Sequence, residues 1–158
     1  MSGGGAADRD RVDGTGLRVA IVAGRWHDAI ANGLLQGALR EVERLGANAE
    51  VIPVPGSFEL PVVAKAALEA GADAAVALGV IIRGGTPHFE YVSSAATDGL
   101  TRVALDTGKP VGFGLLTLDD EQQGLDRAGL PGSKEDKGAE AASAAIATAL
   151  TLRAIRSA

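Results

Sequence analysis

Four short, continuous apolar runs constrain this chain more than any other feature. They are Leu17–Ala23 (LRVAIVA), Glu50–Val54, Ala74–Ile82 and Val111–Thr117. Runs of this length without alternation suit strands buried on both faces. Between them the period changes to that of helices. Ala31, Leu35, Ala38, Val42 and Leu45 fall on one helical face across 28–45, and Gly46 follows as a C-cap. Phe58–Ala70 reads as a second helix, with Pro61 tolerated in its first turn. Phe89–Asp106 reads as a third. Asp120–Ala128 reads as a short fourth with Asp119 as N-cap, and Glu135–Ile155 as a long Ala-rich fifth. Strands alternating with helices imply an α/β fold: a four-stranded parallel sheet with helices on both faces, a flavodoxin-like three-layer sandwich.

In open sheets of this kind ligands bind beyond the carboxyl ends of the strands. That rule directs attention to four places. After the first strand stand Trp26 and His27. Trp26 can stack on a flat heteroaromatic ring or pack at a subunit contact; His27 reads as a helix-start residue without a special role. After the second strand, in PGSFELP, Ser57 and Glu59 can hydrogen-bond a polyhydroxylated or amide-bearing ligand beside Phe58. The same residues also suit a helix start, Ser57 as cap and Glu59 on the dipole.

After the third strand comes GGTPHFEYV, Gly84–Val92. Its glycines permit close backbone approach, Thr86 can cap a helix, and Pro87 suits the first helical position. The exposed N–H groups of that helix start form an anion site, and His88 stands beside it, able to give or take a proton. From this loop alone the simpler reading is a capped helix with an exposed histidine. The fourth place is the end of the last strand, where Phe113 either walls a pocket or packs in the core. Arg127 and Lys137 further on can bring cations toward a phosphate, though Glu121, Asp126, Glu135 and Asp136 nearby equally suit a solvated, mixed-charge surface.

Composition removes several classes of function. Cysteine is absent, so disulfides and thiolate chemistry are excluded; two histidines do not suggest a histidine-rich metal site. The net charge of -5 argues against nucleic acid or an anionic membrane as partner. No apolar run approaches the length of a membrane span. Residues 1–16 read as a flexible, Gly-rich and charged arm without the apolar stretch of a signal peptide, and 17–158 as one domain in a cytoplasmic protein. There is no Walker loop, no dinucleotide fingerprint after the first strand and no Gly-x-Ser-x-Gly elbow. A site with one histidine, an anion pocket and no obvious covalent nucleophile suits substrates that supply their own nucleophile.

From Val19 to Arg156 the chain resembles the lumazine synthase family. The resemblance is carried by VPGSFELPVVA, by ALGVIIRGGTPHFEYV, and by EQQGLDRAG followed by DKGAEAA, in that order. It implies condensation of 5-amino-6-(D-ribitylamino)uracil with 3,4-dihydroxy-2-butanone 4-phosphate, giving 6,7-dimethyl-8-ribityllumazine and phosphate without metal or organic cofactor. Carried over by position, Trp26 would stack on the pyrimidine. Ser57, Phe58 and Glu59 would hold the ribityl chain and ring edge. Val80, Ile81 and Ile82 would line the ring pocket with backbone polar groups. Gly85, Thr86 and Arg127 would take the phosphate with Lys137 in support, and His88 would transfer protons. Phe113 and Arg127 would come from an adjacent subunit, so the resemblance implies a homo-oligomer with sites between subunits.

Three positions depart from the family's pattern. Glu90 stands where Asp is more usual, where it would alter the setting of His88. Leu118 interrupts a polar run after the fourth strand. The loop AGLPGSKED between Arg127 and Lys137 is longer than in members that form sixty-subunit shells, which points to a pentamer or a dimer of pentamers. Competing readings are a non-catalytic flavin or lumazine binder and an assembly scaffold; the set of His88, Arg127, Gly85 and Thr86 argues against both. A flavodoxin-like signalling domain is disfavoured because Ala23-Gly24-Arg25 stands where acidic residues would cluster.

Overall fold

The computed structural model describes residues 4–5 and 11–158. Four strands, β1 (Arg18–Gly24), β2 (Asn48–Val54), β3 (Ala74–Ile82) and β4 (Val111–Leu118), form one all-parallel sheet in the order β2-β1-β3-β4. The helices are α1 (Asp28–Arg44), α2 (Leu60–Glu69), α3 (His88–Thr107), α4 (Glu121–Leu125) and α5 (Lys137–Arg156). The expected α/β sandwich is present.

Alternation along β1 shows why both faces are covered. Val19 and Ile21 pack with Ile30, Leu34 and Ala38 of α1 and Ala142 and Ile146 of α5. Ala20 and Val22 point the other way, toward Leu60, Ala64 and Leu68 of α2 and Ala96 and Leu100 of α3. β3 lies between β1 and β4 and is buried almost throughout. β2 is an edge strand and mostly exposed, which lets it carry Pro53.

Several local expectations need correction. The buried stripe of α1 is Ile30, Leu34, Ala38 and Val42, while Leu35 is only half-buried. Two apolar stripes run side by side there, and periodicity does not choose between them. A 3-10 turn, Ser57–Glu59, precedes α2, so Phe58 lies outside the α-helix. Asp120, not Asp119, caps α4: its extended backbone lets the carboxylate accept from Gln123 N at 3.0 Å. α5 begins at Lys137, because Asp136 is its N-cap and accepts from Ala139 N at 3.1 Å.

Residues 1–3 and 6–10 of the expected arm lie outside the described residues. Its end runs against the body: Gly14 N donates to Leu45 O at 2.7 Å and Val12 packs on the α1/α5 core.

Asp136→Ala should cost about 1–2 kcal/mol through loss of the cap. Its ion pair with Arg40 (3.3 Å) adds little, since Arg40 is well exposed. A melting curve should shift down by about 2–8 °C; no shift would mean that the first turn of α5 is held by packing alone.

Candidate functional site

The sheet order reverses between β1 and β3. The chain leaves β1 for β2 on one side and returns to β3 on the other, which opens a crevice at the carboxyl ends of β1 and β3. Trp26 follows β1 and Arg83–Pro87 follows β3, so the expected residues do converge on this edge.

Pairing between β1 and β3 ends at Ala23 with Leu78, whereas β3 continues to Ile82. Among the described residues, the backbone from Gly79 to Ile82 therefore has no strand partner on the β1 side. On the other side β4 pairs with it through Ile82. The side chains of Val80 and Ile81 are buried in the two cores and Ile82 packs against one of them. What Val80–Ile82 offer the crevice is backbone donors and acceptors, the groups that an amide-edged ring requires.

The floor of the crevice depends on Gly79. A Cβ there would lie 2.5 Å from Ser57 Oγ and 2.8 Å from Leu115 Cδ1. Glycine thus lets the buried Ser57 hydroxyl sit directly on β3. Trp26 lies over Gly56, whose absent Cβ would be 3.1 Å from the indole Nε1, with Glu59 Oε1 close to the same point. Trp26 and Phe58 stay 67% and 65% exposed, so two aromatic faces stand open beside polar groups. A depression of about 480 Å3 at this end is lined by Arg25, Trp26, His27, Asp28 and Pro55.

His27 adds a feature that the sequence did not flag. It holds φ 61°, ψ 71° at the N-cap of α1, in the left-handed region that non-glycine residues avoid. The turn fixes the residue next to Trp26, and the two rings sit 6.4 Å apart.

Gly84, Gly85, Thr86 and Pro87 form an exposed loop leading into α3. Thr86 Oγ1 accepts weakly from His88 N at 3.4 Å, and the N-cap position is Pro87. His88 opens the helix and is exposed. Glu90 does not turn to His88; it pairs with Arg83 at 3.4 Å. Arg83 also donates to Asp119 at 3.0 Å and stacks on Phe89, 4.3 Å from the ring centroid. Hydrogen bonding to Asp119, joined by the charges of Asp119 and Glu90, raises the guanidinium above its ordinary value. This arginine escaped the reading of the sequence, because Asp119 lies far along the chain.

Three expected residues lie elsewhere in the single chain. Phe113 is not at the end of the last strand but third in β4, in register with Ala77. It is 47% exposed on an edge strand, in a groove lined by Leu100, Thr101, Leu105 and Val111. Arg127 and Lys137 are brought together by Glu135, at 3.6 and 3.7 Å, and Arg127 Nη1 donates to Gln123 O at 2.8 Å. Lys137 also pairs with Glu140 at 3.0 Å. This segment lies along α1, with Gly33 against Ala128 and Gly37 against Asp136. At 1.5 Å per residue, Gly33 is already about 8 Å down the helix axis from Asp28. Neither cation is among the residues that line the depression beside Trp26.

The family model for 6,7-dimethyl-8-ribityllumazine synthase matches residues 16–153. The chain is 76% identical to the 6,7-dimethyl-8-ribityllumazine synthase of Leifsonia xyli subsp. xyli, with 99% of each chain covered. The enzyme of the same name from Clavibacter sepedonicus is 74% identical over the full length of both. That of Streptomyces coelicolor is 56% identical over 98% of this chain and 97% of its own.

Proposed function

The chain belongs to the 6,7-dimethyl-8-ribityllumazine synthase family, and from that premise we propose how its own residues divide the reaction. The enzyme condenses 5-amino-6-(D-ribitylamino)uracil with 3,4-dihydroxy-2-butanone 4-phosphate and releases 6,7-dimethyl-8-ribityllumazine and phosphate, a step of riboflavin biosynthesis. The substrate amine attacks the ketone with loss of water, phosphate leaves, and the ring closes with loss of a second water. The nucleophile belongs to the substrate, so the protein's work is alignment, charge and proton transfer.

Trp26 stacks on the pyrimidine, and the backbone of Val80–Ile82 on the β1 side reads its amide edge. Ser57, Phe58 and Glu59 hold the ribityl chain. Gly85 and Thr86 take the phosphate on the exposed amides at the start of α3. His88, one turn away at most, moves the protons. The observation that carries this reading is the open backbone of β3 running directly into the Gly85–Thr86–His88 loop.

Arg127 and Lys137 complete the phosphate pocket of a neighbouring copy, and Phe113 walls the neighbour's pyrimidine site. None of the three lines the depression beside Trp26 in its own chain, which supports this division. The assembly is a homo-oligomer, proposed as a pentamer or a dimer of pentamers. Among the described residues no helix is long and apolar enough to cross a membrane, and a cytoplasmic location is proposed. A particle of shell size in light scattering would overturn the proposed assembly.

Mixing the purified protein with both substrates should generate lumazine absorbance and fluorescence well above the spontaneous rate; background formation by a folded oligomer would contradict the assignment. Arg127→Ala should raise KM for the phosphate ketone about 10- to 100-fold, the range of a charge-assisted hydrogen bond of about 1.5–3 kcal/mol. A fall in kcat with KM unchanged would rule out a binding role.

A further inference from the structure

Around the glycine loop the most connected side chain is Arg83. Its backbone N–H donates to Leu118 O at 2.8 Å. Its Nε reaches Asp119 at 3.0 Å, one terminal nitrogen reaches Glu90 at 3.4 Å, and its guanidinium lies over Phe89. One residue thus ties the end of β3, the end of β4 and the first turn of α3. Two of its partners, Phe89 and Glu90, directly follow His88.

These ion pairs are largely exposed, at 48% for Arg83 and 66% for each carboxylate, so they contribute little to global stability. Their local effect is different. Asp119 and Glu90 place two negative charges beside the loop that presents Gly85 and Thr86. A phosphate ester arriving there is repelled by both, and Arg83 is the cation that contacts both.

We propose that Arg83 is a positioning residue whose pairing with the Asp119 and Glu90 carboxylates shields the phosphate-binding loop from their charge. This rests on the reading that Gly85 and Thr86 take the phosphate.

Steady-state kinetics of the intact oligomer test it. Arg83→Gln should raise KM for 3,4-dihydroxy-2-butanone 4-phosphate about tenfold, equivalent to about 1.4 kcal/mol. The pyrimidine KM and kcat should stay within about twofold. The rise should shrink as salt is added, because the groups are exposed. Arg83→Lys should keep most of the affinity. Neutralising the carboxylates as well, with Glu90→Gln and Asp119→Asn on the Arg83→Gln background, should bring KM back to within about threefold. A merely structural role would lower kcat and melting temperature together, and neutral carboxylates would not restore either. An unchanged KM in Arg83→Gln, or an unrestored KM in the triple variant, overturns the shield. Gly85→Asp, which sets a carboxylate beside the loop amides in open space, tests the underlying reading separately. If it leaves the ketone KM unchanged, the phosphate is not at this loop and the shield falls with it. If it raises KM while Arg83→Gln does not, the shield alone is wrong.

Discussion

Gly138→Ala is expected to lower the melting temperature by about 6–12 °C. Gly138 is the second residue of α5, buried where that helix crosses α1. A Cβ placed there would lie 2.0 Å from the carbonyl oxygen of Leu34 and 2.8 Å from its carbonyl carbon. Both are backbone atoms inside α1, so no rotamer change relieves the contact. The helices must separate, and overpacking of this severity costs about 3 kcal/mol. For a chain of this length each kcal/mol lowers the midpoint by about 2–4 °C. Separation would also carry Lys137 and the Asp136 cap away from α1, so affinity for the phosphate ketone should weaken alongside stability. Scanning calorimetry of the purified variant measures the first effect. A midpoint within about 2 °C of the parent would show that α1 and α5 slide past one another at small cost.

Much of this architecture is legible in the sequence, for reasons visible residue by residue. Ala74–Ile82 is apolar throughout because it lies between two strands and under helices on both faces, and its limits in the fold are those of the run. The Gly84–Pro87 break falls where a parallel strand must hand over to a helix. Where the sequence misleads, two neighbouring residues compete on equal chemistry. Asp119 and Asp120 are both fit to cap a helix; the extended backbone at 120 decides, and frees Asp119 for Arg83. Leu35 and Leu34 are equally apolar, and only the placement of α5 selects the second.

The candidate site divides along the same line. Trp26, Ser57 and the glycine loop are local to strand ends, so the ligand rule for open sheets finds them. Phe113, Arg127 and Lys137 have meaning only relative to another surface, and strand position alone misplaces Phe113. The Arg83 network joins positions 83, 90 and 119, a relation that exists only after β3 and β4 pair.

His88→Ala should lower kcat by about 10- to 10⁴-fold, the span of ordinary acid–base contributions extended downward. The histidine is well placed for such a role. It opens α3 next to the loop proposed for phosphate, and it is exposed in the single chain. Arg83 takes up the Phe89 face and the Glu90 carboxylate, so neither neighbour competes for the imidazole. The pyrimidine KM should change little, because Trp26 and the β3 backbone carry that substrate. The variant should nevertheless stay well above the spontaneous rate. Aligning two reactants is worth up to about 7–11 kcal/mol, more than the roughly 1–5 kcal/mol that a factor of 10 to 10⁴ represents. Added imidazole should recover part of the lost rate in His88→Ala, and none in a variant whose defect is misfolding. If kcat in the alanine variant equals that of the parent, proton transfer belongs to solvent or to the substrates, and proximity alone carries the step.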